Sequence, residues 1–339
     1  MSAVSSKTFK ALRVHTVNGT PVVRFDCLSL SDLDEGEVVI RTAYSAVNYK
    51  DAMAAKGLGK NVRTERPCVT GVDLSGVVEN SSDPRFKRGD SVIVTNYALG
   101  ARHDGGYAEY ARVPGDWIVP LPQGLTLKEA MILGSAGLTA ALAFDRLEEG
   151  GLKPTQGAVV VTGSTGGVGS LAVDIFSSHG YRVAAVTGKS DAEPYLRAIG
   201  AAEIVSRKPM LESRKAINPP RWAGAVDNVG GDVLDMVASA MLPHGRVAVC
   251  GMAAGYKLST SVLPFILRGV DFLGINVSRA LAMPERLRIW QRLATDLKPP
   301  RLDSIIRRIP FDELPSTFDQ LIGSAVMGRI VVEIGGERV

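Results

Sequence analysis

The sequence predicts an α/β protein that pairs a doubly wound parallel sheet with a smaller β-rich, barrel-like domain. Three observations carry this prediction. A chain of 339 residues exceeds the usual size of a single hydrophobic core. Its first 130 or so residues break into short strand-like runs punctuated by Gly, Pro and Asp clusters. From about Ala130 onward, apolar strand-like runs alternate with helical ones, as in a parallel sheet covered by helices on both faces.

In the β-rich part the strand candidates are Glu37–Thr42, Val69–Glu79, Ser91–Thr95 and Tyr107–Val113. Polar turns such as Ser81-Ser82-Asp83-Pro84 and Arg88-Gly89-Asp90 connect them. Small and apolar residues over Met131–Phe144 predict a helix. Six strands follow: Ala158–Thr162, Arg182–Thr187, Glu203–Ser206, Trp222–Asp227, Arg246–Cys250 and Val270–Ile275. Helices at Ser170–His179 and Pro194–Ile199 separate the first three, with Asp191 as the expected N-cap of the second. The tail holds a basic amphipathic helix, Pro284–Thr295, and a closing strand, Arg329–Ile334. The predicted domains are residues 131–275 for the parallel sheet, and 1–130 with 276–339 for the β-rich part.

Composition removes several classes. With 45% hydrophobic and 22% charged residues, the chain is neither disordered nor fibrous. No apolar run reaches the roughly 18 residues of a membrane span. A net charge of +4 is no footprint for nucleic acid. Cys27, Cys68 and Cys250 lie too far apart for a disulfide framework and fit a reducing cytoplasm. The start, MSAVSSKTFK, lacks the apolar core of a secretory signal, and Met1–Ser6 reads as a flexible tail.

The strongest local signal is the run Val159–Gly169, in which a buried strand enters a Gly-rich turn and then an amphipathic helix. Glycines at 163, 166, 167 and 169 allow the tight turn and the close backbone approach that a pyrophosphate at a helix N-terminus needs. The spacing departs from a strict G-x-G-x-x-G, but the strand–loop–helix–strand unit around it is complete, so a Rossmann dinucleotide site is predicted. Its loop residues are Gly163, Ser164, Thr165, Gly166, Gly167 and Val168. An NAD site usually carries an acid at the end of the second strand, about 20 residues on. Here that strand ends Thr187-Gly188-Lys189, without an acid, and Arg207 follows the third strand. NADPH is therefore the predicted cofactor. Further contacts are expected beyond the carboxyl ends of the later strands, at Asn228, Cys250, Gly251 and Asn276. Cys250 reads as a small apolar residue rather than a nucleophile. Phe265 and Ile266 are candidates either to wall the nicotinamide or to pack the core.

A β-rich domain, a Rossmann unit starting near residue 158 and a return to the first domain resemble the medium-chain dehydrogenase/reductase superfamily. Arg88-Gly89-Asp90-Ser91-Val92 and Gly105-Gly106-Tyr107-Ala108-Glu109-Tyr110 match its turns. The resemblance implies a GroES-like fold for the β-rich domain. Zinc-dependent members keep a Cys where this chain has Asn48-Tyr49-Lys50-Asp51, and Gly-His-Glu where it has Gly71-Val72-Asp73. Their four-Cys lobe would fall at Asn96–Gly106, where no Cys occurs. Without soft ligands at these spacings, no metal is expected. Within the zinc-independent, quinone-oxidoreductase-like branch, the chain resembles the bacterial acrylyl-CoA reductase family. The segments that carry this are Asn48-Tyr49-Lys50-Asp51-Ala52, Ser82-Asp83-Pro84-Arg85-Phe86, Gly115-Asp116-Trp117 and Pro264-Phe265-Ile266-Leu267-Arg268.

That resemblance implies NADPH-dependent reduction of acrylyl-CoA to propanoyl-CoA, with a CoA thioester as the small-molecule substrate. Hydride adds to the β-carbon, negative charge reaches the thioester oxygen, and a proton must reach the α-carbon. Tyr49 is the candidate proton relay or nicotinamide contact, since its place in the superfamily faces the cofactor. Asn48 is the candidate oxyanion donor, and Asp51 orients Lys50 or the loop. Arg279, Arg286, Arg288 and Arg292 read as a solvated helix face rather than a site for CoA phosphates. Related reductases pair the strand at Val270–Ile275 with its symmetry mate, which implies a homodimer. A quinone or enone/enal reductase on the same scaffold, and a non-enzymatic NADPH-binding protein, remain alternatives.

Overall fold

The computed structural model describes residues 8–58 and 62–336; the predicted tail Met1–Ser6 lies outside them. Backbone contacts divide the chain into two compact units: residues 1–135, 278–287 and 306–339 form one, and 136–277 with 288–305 the other.

The first unit opens with a hairpin, β1 (Phe9–Val17) and β2 (Thr20–Leu28), turned by Asn18 and Gly19, both at positive φ. Next come β3 (Val38–Val47), α1 (Tyr49–Ala55), β4 (Cys68–Val69), β5 (Asp73–Ser81), β6 (Ser91–Thr95), β7 (Tyr110–Val113) and β8 (Ile118–Pro120). The predicted strand Val69–Glu79 is thus two strands. The chain breaks at Gly71, whose φ of +96° and contact with the Tyr107 ring leave no room for a side chain. β3 is the organising strand. It pairs with β5 along its length, and on its other side with β7 through residues 38–41 and with the closing strand through residues 44–47.

Helix α2 (Leu127–Glu149) is broken at Gly134, where φ is 49° and ψ −150°, instead of running smoothly through Met131–Phe144. It is long and apolar enough to cross a membrane, contrary to the expectation that no run is. Most of it is buried within the protein, as befits a core helix.

The second unit is a six-stranded parallel sheet. Its strands are β9 (Ala158–Thr162), β10 (Val183–Thr187), β11 (Glu203–Ser206), β12 (Trp222–Asp227), β13 (Met241–Val249) and β14 (Asp271–Gly274), in the spatial order β11-β10-β9-β12-β13-β14. Intervening helices are α3 (Gly167–Ser178), α4 (Glu193–Ala198), α5 (Arg207–Glu212), α6 (Gly231–Ser239) and α7 (Leu263–Arg268). Strand order reverses between β9 and β12, the switch point at which such sheets bind ligands. Near-continuous burial of Val159–Val161, Val183–Val186 and Trp222–Val226 explains why these strands read as unbroken apolar runs. The cap of α4 falls on Ala192, not on Asp191, and no side chain bonds there.

α8 (Met283–Ala294), α9 (Leu302–Ile305), β15 (Ile306–Pro310), α10 (Leu314–Ile322) and β16 (Arg329–Glu333) complete the chain. Residues 276–277 and 288–305 belong to the second unit, not to the first domain with the rest of 276–339, and residues 131–135 belong to the first. In 288–305, ion pairs accompany the burial of Ile289, Trp290, Leu293 and Leu297. Arg288 and Arg292 both pair with the buried Asp145, and Arg301 pairs with the buried Asp174. Arg286 is itself fully buried, 4.5 Å from the Tyr97 ring centroid and bonded to Thr95 and Ser278. Of the arginine row, Arg286 is buried and Arg292 half-buried, contrary to a solvated face, whereas Arg279 and Arg288 are exposed as expected, Arg288 while paired with Asp145.

Candidate functional site

In the second unit, β9 runs into a turn closed by the Gly166 N–H donating to the Gly163 carbonyl at 2.9 Å. Gly163 has φ +58°, and a Cβ there would lie 3.2 Å from Val229 Cγ2. At Gly169 a Cβ would sit 2.7 Å from Ser164 Cα, so the first turn of α3 packs directly on the loop. The Ser164 hydroxyl is committed inward, donating to the Val161 carbonyl at 2.6 Å, and Ser170 donates to the Ser164 carbonyl at 3.1 Å. Gly166 is exposed and Gly167 and Val168 half-buried, so the backbone N–H groups opening α3 face outward with no acid in the first turn. Their intrahelical acceptors are missing by geometry. A phosphate supplies what they lack, and the glycine cradle leaves it room: these residues fit a dinucleotide.

At the end of β10, Thr187 pairs in register with Ser206 of β11, which brings Arg207 alongside. A Cβ on Gly188 would lie 2.8 Å from Arg207 Nη2, so the guanidinium covers this glycine. The Lys189 N–H donates to Thr187 Oγ1 at 3.1 Å, and burial lowers its ammonium pKa while Asp191 opposes that shift. Two cations thus flank the place where an NAD site carries an acid.

Asp227, at the end of β12, accepts from the Thr162 hydroxyl at 2.6 Å and from the Gly230 N–H at 2.8 Å. Asn228 Nδ2 donates to the Thr162 carbonyl at 2.8 Å, tying the two strand ends together. A Cβ on Gly251 would clash with the Asn228 carbonyl, and the Cys250 N–H donates to the Asp227 carbonyl at 2.7 Å. Burial, with Asp227 beside it, pushes the Cys250 thiol far above its usual range, which suits packing and not nucleophilic attack. The Ile275 N–H donates to the Val249 carbonyl at 3.0 Å, so Asn276 emerges at the same sheet end. Phe265 packs edge-on against Phe272 of β14, with centroids 5.3 Å apart, whereas Ile266 is exposed.

In the first unit the turn at residues 48–51 opens α1. The Asp51 carboxylate accepts the Asn48 N–H at 2.9 Å and the Val72 N–H at 3.1 Å. Asn48 Nδ2 donates to Asp73 Oδ2 at 2.8 Å, and Asn48 Oδ1 accepts from Arg329 Nη1 at 3.1 Å. Tyr49 is 47% exposed. Lys50 reaches Asn96 Oδ1. Asp51 is buried, and burial first and the Asp73 charge second push its carboxyl up to about 6. It orients the turn from within and does not face solvent.

This shift has a stability consequence. The folded pKa of Asp51 lies above the unfolded value of 3.8, so its contribution is fully present below the unfolded value and lost as pH rises through about 6. The loss amounts to about 3 kcal/mol. Urea unfolding at pH 4.5 and pH 7.5 should show a smaller fall with pH for Asp51→Asn than for the native protein. Equal falls would remove Asp51 as the source.

Sequence reasoning missed Asp73, Asn96, Ser135 and Arg329 as parts of this site. A signal was present: an acid inside an apolar strand and an arginine opening another need partners when buried. Among the described residues, no group of three or more His, Cys, Asp or Glu side chains could hold a metal ion.

Residues 34–123 match the alcohol dehydrogenase GroES-like domain family, and residues 167–292 the zinc-binding dehydrogenase family. The chain is 44% identical over 331 residues to the putative quinone oxidoreductase YhfP of Bacillus subtilis, covering 97% of this chain and 100% of that one. A crystal structure of that protein with NAD bound superposes with a TM-score of 0.93. Identity to the acrylyl-CoA reductase AcuI of Ruegeria pomeroyi is 44% over 308 residues, covering 91% and 93%. The crystal structure of Escherichia coli K-12 YhdH with bound NADPH is 41% identical, with a TM-score of 0.92 and coverage of 95% and 99%.

Proposed function

The chain belongs to the medium-chain dehydrogenase/reductase superfamily, and on that footing we propose that it is an NADPH-dependent reductase of the acrylyl-CoA carbon–carbon double bond, yielding propanoyl-CoA. The observation that carries this reading is the 44% identity to an acrylyl-CoA reductase across 91% of the chain. NADPH supplies the hydride that adds to the β-carbon. The loop Gly163–Val168 holds the pyrophosphate, and Lys189 and Arg207 hold the 2′-phosphate. Thr187 and Gly188 shape that end of the cofactor site, and Asn228, Cys250, Gly251 and Asn276 border the remainder of the cofactor. Asn48 directs a side-chain N–H at the thioester oxygen as negative charge develops there. Tyr49 gives its hydroxyl proton to the α-carbon and recovers one from solvent, to which it is open.

One observation favours a second reading. YhfP is named a putative quinone oxidoreductase and is as similar as the acrylyl-CoA reductase. An NADPH-oxidation panel of acrylyl-CoA, crotonyl-CoA, free acrylate, acrolein and benzoquinone separates the two. The highest kcat/KM is expected with acrylyl-CoA, unchanged by exhaustive chelation; activity with benzoquinone alone would overturn the CoA reading.

The partner proposed besides substrate is a second copy. Among the described residues, β14 is the sheet's outer strand and bonds only to β13, with Phe272 and Leu273 half-buried. The segment before it leaves Met252, Tyr256, Val262, Ile266 and Leu267 exposed. Pairing β14 with its symmetry mate covers this edge. Light scattering at micromolar concentration should give twice the 36.0 kDa chain mass, and Ile266→Asp with Leu267→Asp should shift it toward monomer. A native monomer counts against the pairing. A reducing cytoplasm suits Cys27, Cys68 and Cys250, all of them free thiols.

A further inference from the structure

We propose that Asp73 is the positioning residue of the Tyr49 turn: it locks the Asn48 carboxamide in one orientation and, through Ser135 and Asn96, tethers Lys50. This role rests on the reading of Asn48 and Tyr49 as the groups that meet the substrate.

An asparagine amide can in general turn over, exchanging its oxygen and nitrogen. Here it cannot do so without loss. Nδ2 faces the Asp73 carboxylate, which only accepts, and Oδ1 faces the Arg329 guanidinium, which only donates. Turning the amide would set oxygen against carboxylate and NH2 against guanidinium. The second hydrogen on Nδ2 therefore has a set direction, and it has no partner among the described residues.

A second arm leaves the same carboxylate. Asp73 accepts from the Ser135 N–H at 3.0 Å and from the Ser135 hydroxyl. Ser135 Oγ accepts from Asn96 Nδ2 at 2.6 Å, and Asn96 Oδ1 accepts from Lys50 Nζ. Asn48 and Lys50 are the two neighbours of Tyr49 in the chain, so both flanks of the tyrosine are tied to one carboxylate. That carboxylate is 0% exposed.

Two backbone features are spent on bringing these groups together. Gly134 adopts φ 49°, and a Cβ there would lie 2.7 Å from Asp73 Oδ2, so only glycine lets Ser135 approach. Asn96 sits at φ 64°, left-handed for a residue with a side chain. A carboxylate needed only for packing would be replaceable by an apolar residue; this one is buried at a cost and its bonds lead to the surface turn.

The test uses the full chain with 15N-labelled asparagine. The Asn48 side-chain amide signals are identified by their disappearance in Asn48→Ala. In the native protein they should be sharp and well separated; in Asp73→Asn they should broaden or move to solvent-exposed positions. Turnover should fall about tenfold or more in Asp73→Asn, with NADPH affinity by fluorescence titration held within about twofold. In the Asn48→Ala background, Asp73→Asn should add less than about twofold. Unmoved Asn48 signals, or full additivity of two turnover losses, would overturn the positioning role. Moved signals with native turnover would leave that role standing and instead refute Asn48 as a substrate contact. Should Asp73→Asn not fold, Ser135→Ala keeps the carboxylate and cuts the second arm. The Asn96 amide should then shift while that of Asn48 stays, and an unshifted Asn96 amide overturns the role.

Discussion

Tyr49→Phe is expected to lower turnover about 10²–10⁴-fold while NADPH affinity stays within about twofold. The ring remains after this substitution, so contacts made by its faces are kept and only the hydroxyl is lost. Tyr49 stands on the first turn of α1 and is 47% exposed, which on this reading lets its hydroxyl reload from solvent after each transfer. The capping pair of Asn48 and Asp51 holds this turn, so loss of the hydroxyl should not disturb its backbone. Parallel losses in turnover and in cofactor affinity would instead mean that the hydroxyl bonds the nicotinamide half. Native turnover would remove Tyr49 as the acid and leave water or a ribose hydroxyl as the donor.

Lys189→Ala combined with Arg207→Ala should weaken NADPH binding by about 100-fold or more and leave NADH binding nearly unchanged. Each charge-assisted bond to a phosphate is worth about 1.5–3 kcal/mol, so Lys189→Ala alone should cost about tenfold or more. The geometry behind this is the Arg207 guanidinium lying over Gly188, beside Lys189 and at a strand end without an acid. Fluorescence titration with both cofactors reads the difference directly. Equal losses for NADPH and NADH would show that these cations do not read the 2′-phosphate. That outcome would ally the chain with YhfP, whose crystal structure has NAD bound.

Much of the second unit was legible because its local and global signals agree. β9, β11 and β12 fall on the predicted residues, since strands buried on both faces are apolar along their whole length. The phosphate loop was legible for a related reason. Glycine at 163 and 169 answers backbone needs, φ and close approach, that no other residue meets, so the requirement is written in residue type. Where such one-to-one demands were absent, the reading slipped. Asp191 looked like a cap, but α4 begins one residue later, and short helices tolerate an uncapped start. Arg286 and Arg292 looked solvated because helical spacing says which residues share a face, not what that face meets. Their partners Thr95 and Asp145 lie more than a hundred positions away in the chain.

The Asn48–Asp51 turn is a candidate for chemistry only through a family resemblance; by itself the sequence determined the two folds, the glycine-rich loop after β9 and the acid-free end of β10. Each follows from short-range pattern: periodicity, glycine spacing, or a residue type at a strand end. Only the tertiary structure decided that Asp73, Ser135, Asn96 and Arg329 converge on that turn, and that Gly134 breaks a helix to admit them. Asn48 and Arg329 are 281 positions apart, and no local rule pairs an amide with a guanidinium at that distance. Their pairing is enforced by desolvation: once β3, β5 and β16 exclude water, each buried donor must find an acceptor wherever the fold brings one.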